Sequence, residues 1–160
     1  MTIKVGEKIP DVTLYHMGEK GPETIGTGEL FAGKKVVLFA LPGAFTPTCS
    51  AAHLPGFVVN ADKLKEKGVD TIACLSVNDA FVMGAWGTAQ NADDILMLAD
   101  GSGDFTQAVG LELDLTSRGL GVRSQRYAMI VDNGTVSWIG VEDVPSKADL
   151  SSAQAVLDAL

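Results

Sequence analysis

Apolar positions along the chain fall into short continuous runs separated by polar, Gly- or Pro-bearing stretches. Lys35 to Leu41 is one such run, bounded by charge on one side and Pro42 on the other. Its length predicts a strand buried on both faces. Val69 to Val77 predicts a second buried strand, and Ile95 to Ala99 a short third. Between them the period changes. From Thr48 to Lys67 the residues Val58, Ala61 and Leu64 recur at helical spacing, so a helix is expected, with Gly68 as its stop and Pro55-Gly56 as a kink or frayed point near its start. Asn78 or Asp79 is placed to cap a second helix through Ala89. Asp100 to Asp104 reads as a turn and Phe105 to Val109 as a short helix. Tyr127 to Val131 and Val136 to Val141 flank Asp132-Asn133-Gly134-Thr135, a hairpin signal. A last helix opens at Asp149 or Ser151. The first ~30 residues are Gly-rich and irregular; Asp11 to His16 is strand-like, and a small hairpin is expected there. The order β-α-β-α-β-(α)-β-β-α predicts an α/β sandwich, a mixed central sheet flanked by helices. No repeat, linker or low-complexity tract interrupts it, so one domain spanning 1–160 is expected.

Composition narrows the chemistry. The formal net charge of −8 excludes a phosphate-backbone binder, so no nucleic acid is expected. No apolar run approaches the ~18 residues of a membrane span, and the N-terminus lacks the apolar stretch of a secretory signal, so no membrane partner is expected. Two cysteines, Cys49 and Cys74, are too few for a disulfide scaffold and suit a reducing compartment, which makes the cytoplasm the expected setting. Cys49 stands out by position. It follows the first central strand, past a Pro/Gly turn, at the start of a helix, which is where open α/β sheets of the thioredoxin kind place their sites. A helix start carries about half a positive charge and unpaired N–H groups. A thiol there ionises readily, and the thiolate is the reactive form.

The residues Pro42-Gly43-Ala44-Phe45-Thr46-Pro47-Thr48-Cys49-Ser50, followed by His53-Leu54-Pro55-Gly56-Phe57, resemble the peroxidatic-cysteine loop of peroxiredoxins. Ala73-Cys74-Leu75-Ser76-Val77-Asn78-Asp79-Ala80-Phe81-Val82 narrows the resemblance to the type 5, or plant type II, subgroup, and Arg123-Ser124-Gln125-Arg126-Tyr127-Ala128-Met129 is similar to that subgroup's arginine segment. It covers nearly the whole chain. It implies a thioredoxin-like fold and a thiol peroxidase that reduces hydrogen peroxide and alkyl hydroperoxides without metal, haem or flavin. By the same resemblance Cys49 matches the nucleophile and Thr46 the threonine that hydrogen-bonds thiolate and peroxide. Pro42 matches the proline shielding the site. Arg126 matches the arginine that steadies the thiolate and the breaking O–O bond. Gly43 joins Thr46 and Arg126 in binding the substrate.

Lowering a thiol pKa from ~8.5 to ~6 raises the thiolate fraction at pH 7 only ~30-fold, or about 2 kcal/mol. A fast peroxidase also needs donors aimed at charge developing on the leaving oxygen. Arg126, the Thr46 hydroxyl and the N–H groups from Gly43 to Cys49 are the candidates, with Arg123 as a backup to Arg126. His53, one helical turn past Cys49, is read as a packing residue or one acting behind the site.

Residues 141 to 160 contain no cysteine, so the sulfenic acid must be resolved elsewhere. The intramolecular option is Cys74, mid-strand and expected to be buried. An external thiol, glutathione or glutaredoxin, is favoured over it, with thioredoxin as the alternative. The resemblance also implies a homodimer formed through loops near the site, for which Phe45, Phe81 and Trp86 are candidates. Two rivals differ in class. A disulfide reductase would need Cys-x-x-Cys, but Thr46 fills the first slot. A peroxide-sensing module would oxidise at Cys49 without turning over.

Overall fold

The computed structural model describes residues 1–160. In chain order the elements are β1 (Thr13–Gly18), β2 (Gly21–Gly26), α1 (Thr27–Phe31), β3 (Lys35–Ala40), a π-helical turn (Cys49–His53), α2 (Leu54–Glu66), β4 (Thr71–Ser76), α3 (Ala80–Ala89), β5 (Leu96–Ala99), α4 (Asp104–Ala108), β6 (Glu112–Leu115), β7 (Gly121–Ser124), β8 (Tyr127–Asp132), β9 (Thr135–Val141) and α5 (Ala153–Ala159).

Seven strands form one mixed sheet in the order β2-β1-β5-β4-β3-β8-β9. β3 pairs parallel with β4, the middle strand, and antiparallel with β8, so it lies inside the sheet. Helices cover both faces, and the side chains of β3 divide between them with period two. Val37 and Phe39 face α2, α3 and α5, joining Leu54, Phe57, Met83, Trp86 and Val156 in one core. Val36, Leu38 and Ala40 face α1 and α4, with Phe31, Phe105 and Val109 in a second core. Burial on both faces explains why β3 and β4 read as continuous apolar runs.

The sandwich and the three central strands match the sequence reading, and so does the N-terminal hairpin. That hairpin is part of the main sheet, however, joined antiparallel at Tyr15↔Ala99. Three local features differ. The one-turn helix α1 carries no periodic signal in its five residues. The β6–β7 hairpin, a small second sheet, has no counterpart in the sequence pattern, because its four-residue strands are half exposed. The C-terminal helix is capped by Ser152, whose Oγ accepts from Ala155 N–H at 3.1 Å, and not by Asp149 or Ser151. The turn at Asp100–Asp104 is also a cap: the buried Asp100 carboxylate accepts from the N–H groups of Phe105 and Thr106 and from the Thr106 hydroxyl.

Pro55 does not break its helix. Leu54 N–H bonds to Cys49 C=O, five residues back, and the turn widens instead. Pro55 lacks the N–H that would continue the regular ladder, and π-turns of this kind recur at functional sites.

Candidate active site

Three segments meet beyond the end of β3. The first is the loop from Pro42 to Thr46. Ala44 N–H donates to Asn78 Oδ1 at 3.0 Å, and Ser76 Oγ donates to the same oxygen at 2.6 Å, which ties the loop to the end of β4. Phe45 adopts φ 63°, a left-handed conformation that costs an L-residue roughly 1–2 kcal/mol. The loop delivers Cys49 to the first residue of the π-turn.

The second segment is the entry to β8. The register Ala40↔Tyr127 places Arg126 across from the end of β3, next to that loop. Residues separated by 77 positions thus meet: Arg126 Nη2 donates to Cys49 Sγ at 3.1 Å. Its Nε–H donates to Pro145 C=O at 2.9 Å, and Nη1 lies 3.0 Å from His53 Nδ1. Arg126 is only 2 % exposed. The chain's one ion pair within 4.0 Å is Lys65–Asp94 on the surface, so no carboxylate balances this guanidinium. A buried cation is costly unless an anion or strong acceptors face it. The acceptor of its Nη2–H is the Cys49 sulfur, and hydrogen bonds from charged donors are the strong ones.

The third segment is the stretch after β9. It supplies the carbonyls of Pro145 to Arg126, of Ser146 to the Thr48 hydroxyl at 3.2 Å, and of Ser151 to His53 Nε2 at 2.9 Å. His53 is 1 % exposed, and burial, reinforced by Arg126, lowers its pKa to about 3. The ring is therefore neutral: Nε2–H donates to Ser151 C=O, and Nδ1 accepts from Arg126.

A cleft of about 660 Å³ opens onto this cluster, walled by Pro42, Thr46 and Arg126 on one side and by Arg118 and Leu120 of the β6–β7 connection on another. The sulfur itself is fully buried, so it lies beneath the floor of the cleft and not at its mouth. Pro42, Thr46 and Arg126 line the cleft, and of these Arg126 touches the sulfur.

The other sequence candidates divide. Thr46 lies on the cleft, but its hydroxyl donates to Gly43 C=O at 2.6 Å and makes no bond to Cys49 Sγ or to a backbone N–H. With its proton committed, the oxygen is left as an acceptor. Gly43 lies under Arg123: a Cβ there would sit 2.7 Å from Arg123 Nη1. Arg123 donates to Pro42 C=O at 3.2 Å and to Leu120 C=O at 2.9 Å, clamping the loop without touching the sulfur. Cys74 is fully buried in β4, opposite Phe39 in β3, and burial, reinforced by the nearby Cys49, raises its pKa well above the usual thiol range. Trp86 is not a surface residue: it is fully buried and donates Nε1–H to Ser50 Oγ at 3.0 Å, because α3 turns it into the core. Phe45 and Phe81 are exposed. The carbonyls of Pro145 and Ser151 carry no side-chain signal, so sequence reasoning could not find them.

No group of three His, Cys, Asp or Glu residues is placed to hold a metal ion, and no helix is long and apolar enough to cross a membrane.

Comparison with known proteins agrees with this geometry. Residues 4–157 match the sequence model of the Redoxin family. The chain is 49 % identical to Peroxiredoxin-2D of Arabidopsis thaliana, over 99 % of this chain and 98 % of that protein. The reduced Prx3 of Vibrio vulnificus in complex with H2O2 superposes with a TM-score of 0.94 at 58 % identity, over 99 % of each chain. Peroxiredoxin 5 of Alvinella pompejana superposes with a TM-score of 0.86 at 39 % identity, over 98 % of this chain and 97 % of that one. With a guanidinium on the sulfur of Cys49 and these matches over nearly the whole chain, the chain belongs to the peroxiredoxins, in the plant type II (type 5) subgroup, and is a thioredoxin-fold thiol peroxidase.

Proposed function

We propose that Cys49 is the peroxidatic residue and Arg126 its electrostatic partner, and that an external thiol completes the cycle. The observation that carries the assignment is the buried guanidinium of Arg126, donating to Cys49 Sγ at 3.1 Å with no carboxylate beside it. The thiolate attacks the terminal oxygen of ROOH. A sulfur–oxygen bond forms, the O–O bond breaks, Cys49 becomes a sulfenic acid, and RO⁻ leaves to be protonated as water or alcohol. Arg126 has five N–H donors, three of them engaged, so two remain for peroxide oxygens. The Thr46 oxygen is free to accept the peroxide's O–H, and Pro42 and Gly43 shape the approach.

A thiol R′SH then condenses with the sulfenic acid, giving a mixed disulfide and water, and a second thiol releases Cys49 and R′SSR′. Glutathione or glutaredoxin is the favoured donor. Burial of Cys74 speaks against thioredoxin recycling through that thiol, since a resolving cysteine attacks as thiolate. Two cysteines held as free thiols suit the cytoplasm. The exposed Phe45 and Phe81 are the proposed apolar contacts of a homodimer, which sedimentation of the wild type against Phe45→Ser tests.

The deciding experiment measures peroxide consumption with glutathione plus glutaredoxin, and separately with thioredoxin, in wild type and Cys49→Ser. Sustained turnover lost completely in Cys49→Ser supports the assignment. Oxidation that stops at one equivalent per chain would make the protein a peroxide sensor instead.

A further inference from the structure

Arg126 binds three acceptors, and apart from the sulfur both are neutral: the Pro145 carbonyl and the His53 ring. We infer that His53 is a positioning residue for the peroxidase reaction, a neutral acceptor that aims the Arg126 fork at Cys49 without cancelling its charge. The inference rests on the reading that Arg126 serves Cys49.

The geometry is a continuous chain. The Ser151 carbonyl takes Nε2–H at 2.9 Å and fixes the tautomer; Nδ1 is thereby an acceptor and faces Nη1 at 3.0 Å; Nη2 of the same fork reaches the sulfur at 3.1 Å. A guanidinium is planar and rigid, so fixing Nη1 and Nε also fixes where Nη2 points. Behind Ser151 stands Glu142, whose Oε2 accepts both the Ser151 N–H at 2.7 Å and its hydroxyl at 2.6 Å. The network does contain a carboxylate, but three links from the guanidinium, where it anchors Ser151 and makes no ion pair with Arg126. Around the imidazole the other neighbours are Phe39 from β3, at 5.1 Å between ring centroids, and Phe57 from α2, at 5.7 Å. Arg126 is the only charged group among the groups named here that touch the ring, and the lowered pKa keeps the ring an acceptor at neutral pH.

An ordinary buried histidine would need only two satisfied nitrogens, and a carboxylate would satisfy Arg126 better than an imidazole does. The choice of a neutral partner has a consequence for the sulfur: an anion in the same place would offset the cation that stabilises the thiolate.

Asn and Asp at position 53 separate these roles, because they have the same shape and differ in charge. Each puts an oxygen near the place of Nδ1. The readout is the pH dependence of Cys49 alkylation by iodoacetamide, followed by peptide mass spectrometry, with thermal unfolding in parallel and peroxide kcat/KM as a second measure. Alkylation requires no turnover, so it stands even if the peroxidase assignment fails, and a Cys49→Ser control bears on that assignment alone. We expect His53→Asn to stay within ~3-fold of wild type at pH 7, and His53→Asp to move the alkylation midpoint up by ~1 pH unit, about tenfold slower at fixed pH, however stable it is. His53→Phe, which offers no acceptor, should slow alkylation while remaining folded. Equal alkylation profiles for Asn and Asp, or losses in all three variants that merely follow the loss of thermal stability, would overturn the inference.

Discussion

Replacing Arg126 by Gln separates two contributions that act on the same sulfur. The substitution removes a charged donor 3.1 Å from Cys49 Sγ, in a site where the arginine is 2 % exposed and pairs with no carboxylate. A hydrogen bond from a charged donor contributes about 1.5–3 kcal/mol, so the thiolate should become roughly 10- to 150-fold less available at pH 7. In the proposed mechanism the two unengaged N–H groups of Arg126 donate to the departing oxygen, and losing one preorganised donor to developing charge costs ~10²–10³ in rate. Iodoacetamide alkylation reads the first effect only; stopped-flow peroxide consumption under saturating reductant reads both. The expected outcome is alkylation slowed by about tenfold or more and peroxide kcat/KM lowered by ~10³ or more. Arg126→Lys keeps the charge but cannot span sulfur, His53 and Pro145 with one fixed fork, so it should fall between Gln and wild type. If peroxide reduction drops no further than alkylation, Arg126 has no part in breaking the O–O bond. If neither changes, the electrostatic account of the site is wrong.

Other outcomes follow from the same contacts. Folded chains keep His53 neutral down to about pH 3, whereas an unfolded chain protonates it near 6.5. Between those values the unfolded state binds the extra proton, so stability is complete above pH 6.5 and declines on acidification by roughly 1 kcal/mol per pH unit; urea midpoints from pH 7 to 4 should show this slope, and His53→Asn should flatten it. Cys74→Ser should keep glutathione- and glutaredoxin-supported turnover within ~3-fold of wild type, since a buried thiol of raised pKa is a poor resolving group; loss of turnover would make Cys74 the resolving residue. Asp100→Ala strips three hydrogen bonds from the start of α4 and should cost about 2–4 kcal/mol in urea unfolding, and a cost below ~0.5 kcal/mol would contradict its role as a cap.

Several features were legible in the chain itself. The strands β3 and β4 show as unbroken apolar runs because both their faces are covered. The Pro42-to-Ser50 segment marks its cysteine because a turn of that composition after a buried strand has few structural alternatives. The β6–β7 hairpin left no such trace: its side chains sit at the rim of the cleft, so polar and apolar residues serve equally well there. Burial of Trp86 and exposure of Phe81 were also out of reach, since a nearly uniformly apolar helix such as α3 does not announce which side faces the sheet.

Sequence alone determined the alternation of the central strands and helices, marked Cys49 as the candidate nucleophile and named the residue types that its chemistry would require. These are local properties, set by hydrophobic period and turn chemistry. Only the tertiary structure decided which arginine reaches the sulfur, that the sulfur lies beneath the cleft floor, and that two backbone carbonyls and a neutral imidazole direct the guanidinium. Those depend on the antiparallel register of β8 on β3 and on the path of the chain after β9, which bring together atoms from residues 49 to 151. A backbone carbonyl is the same group in every residue, so only its position in space can give it a role.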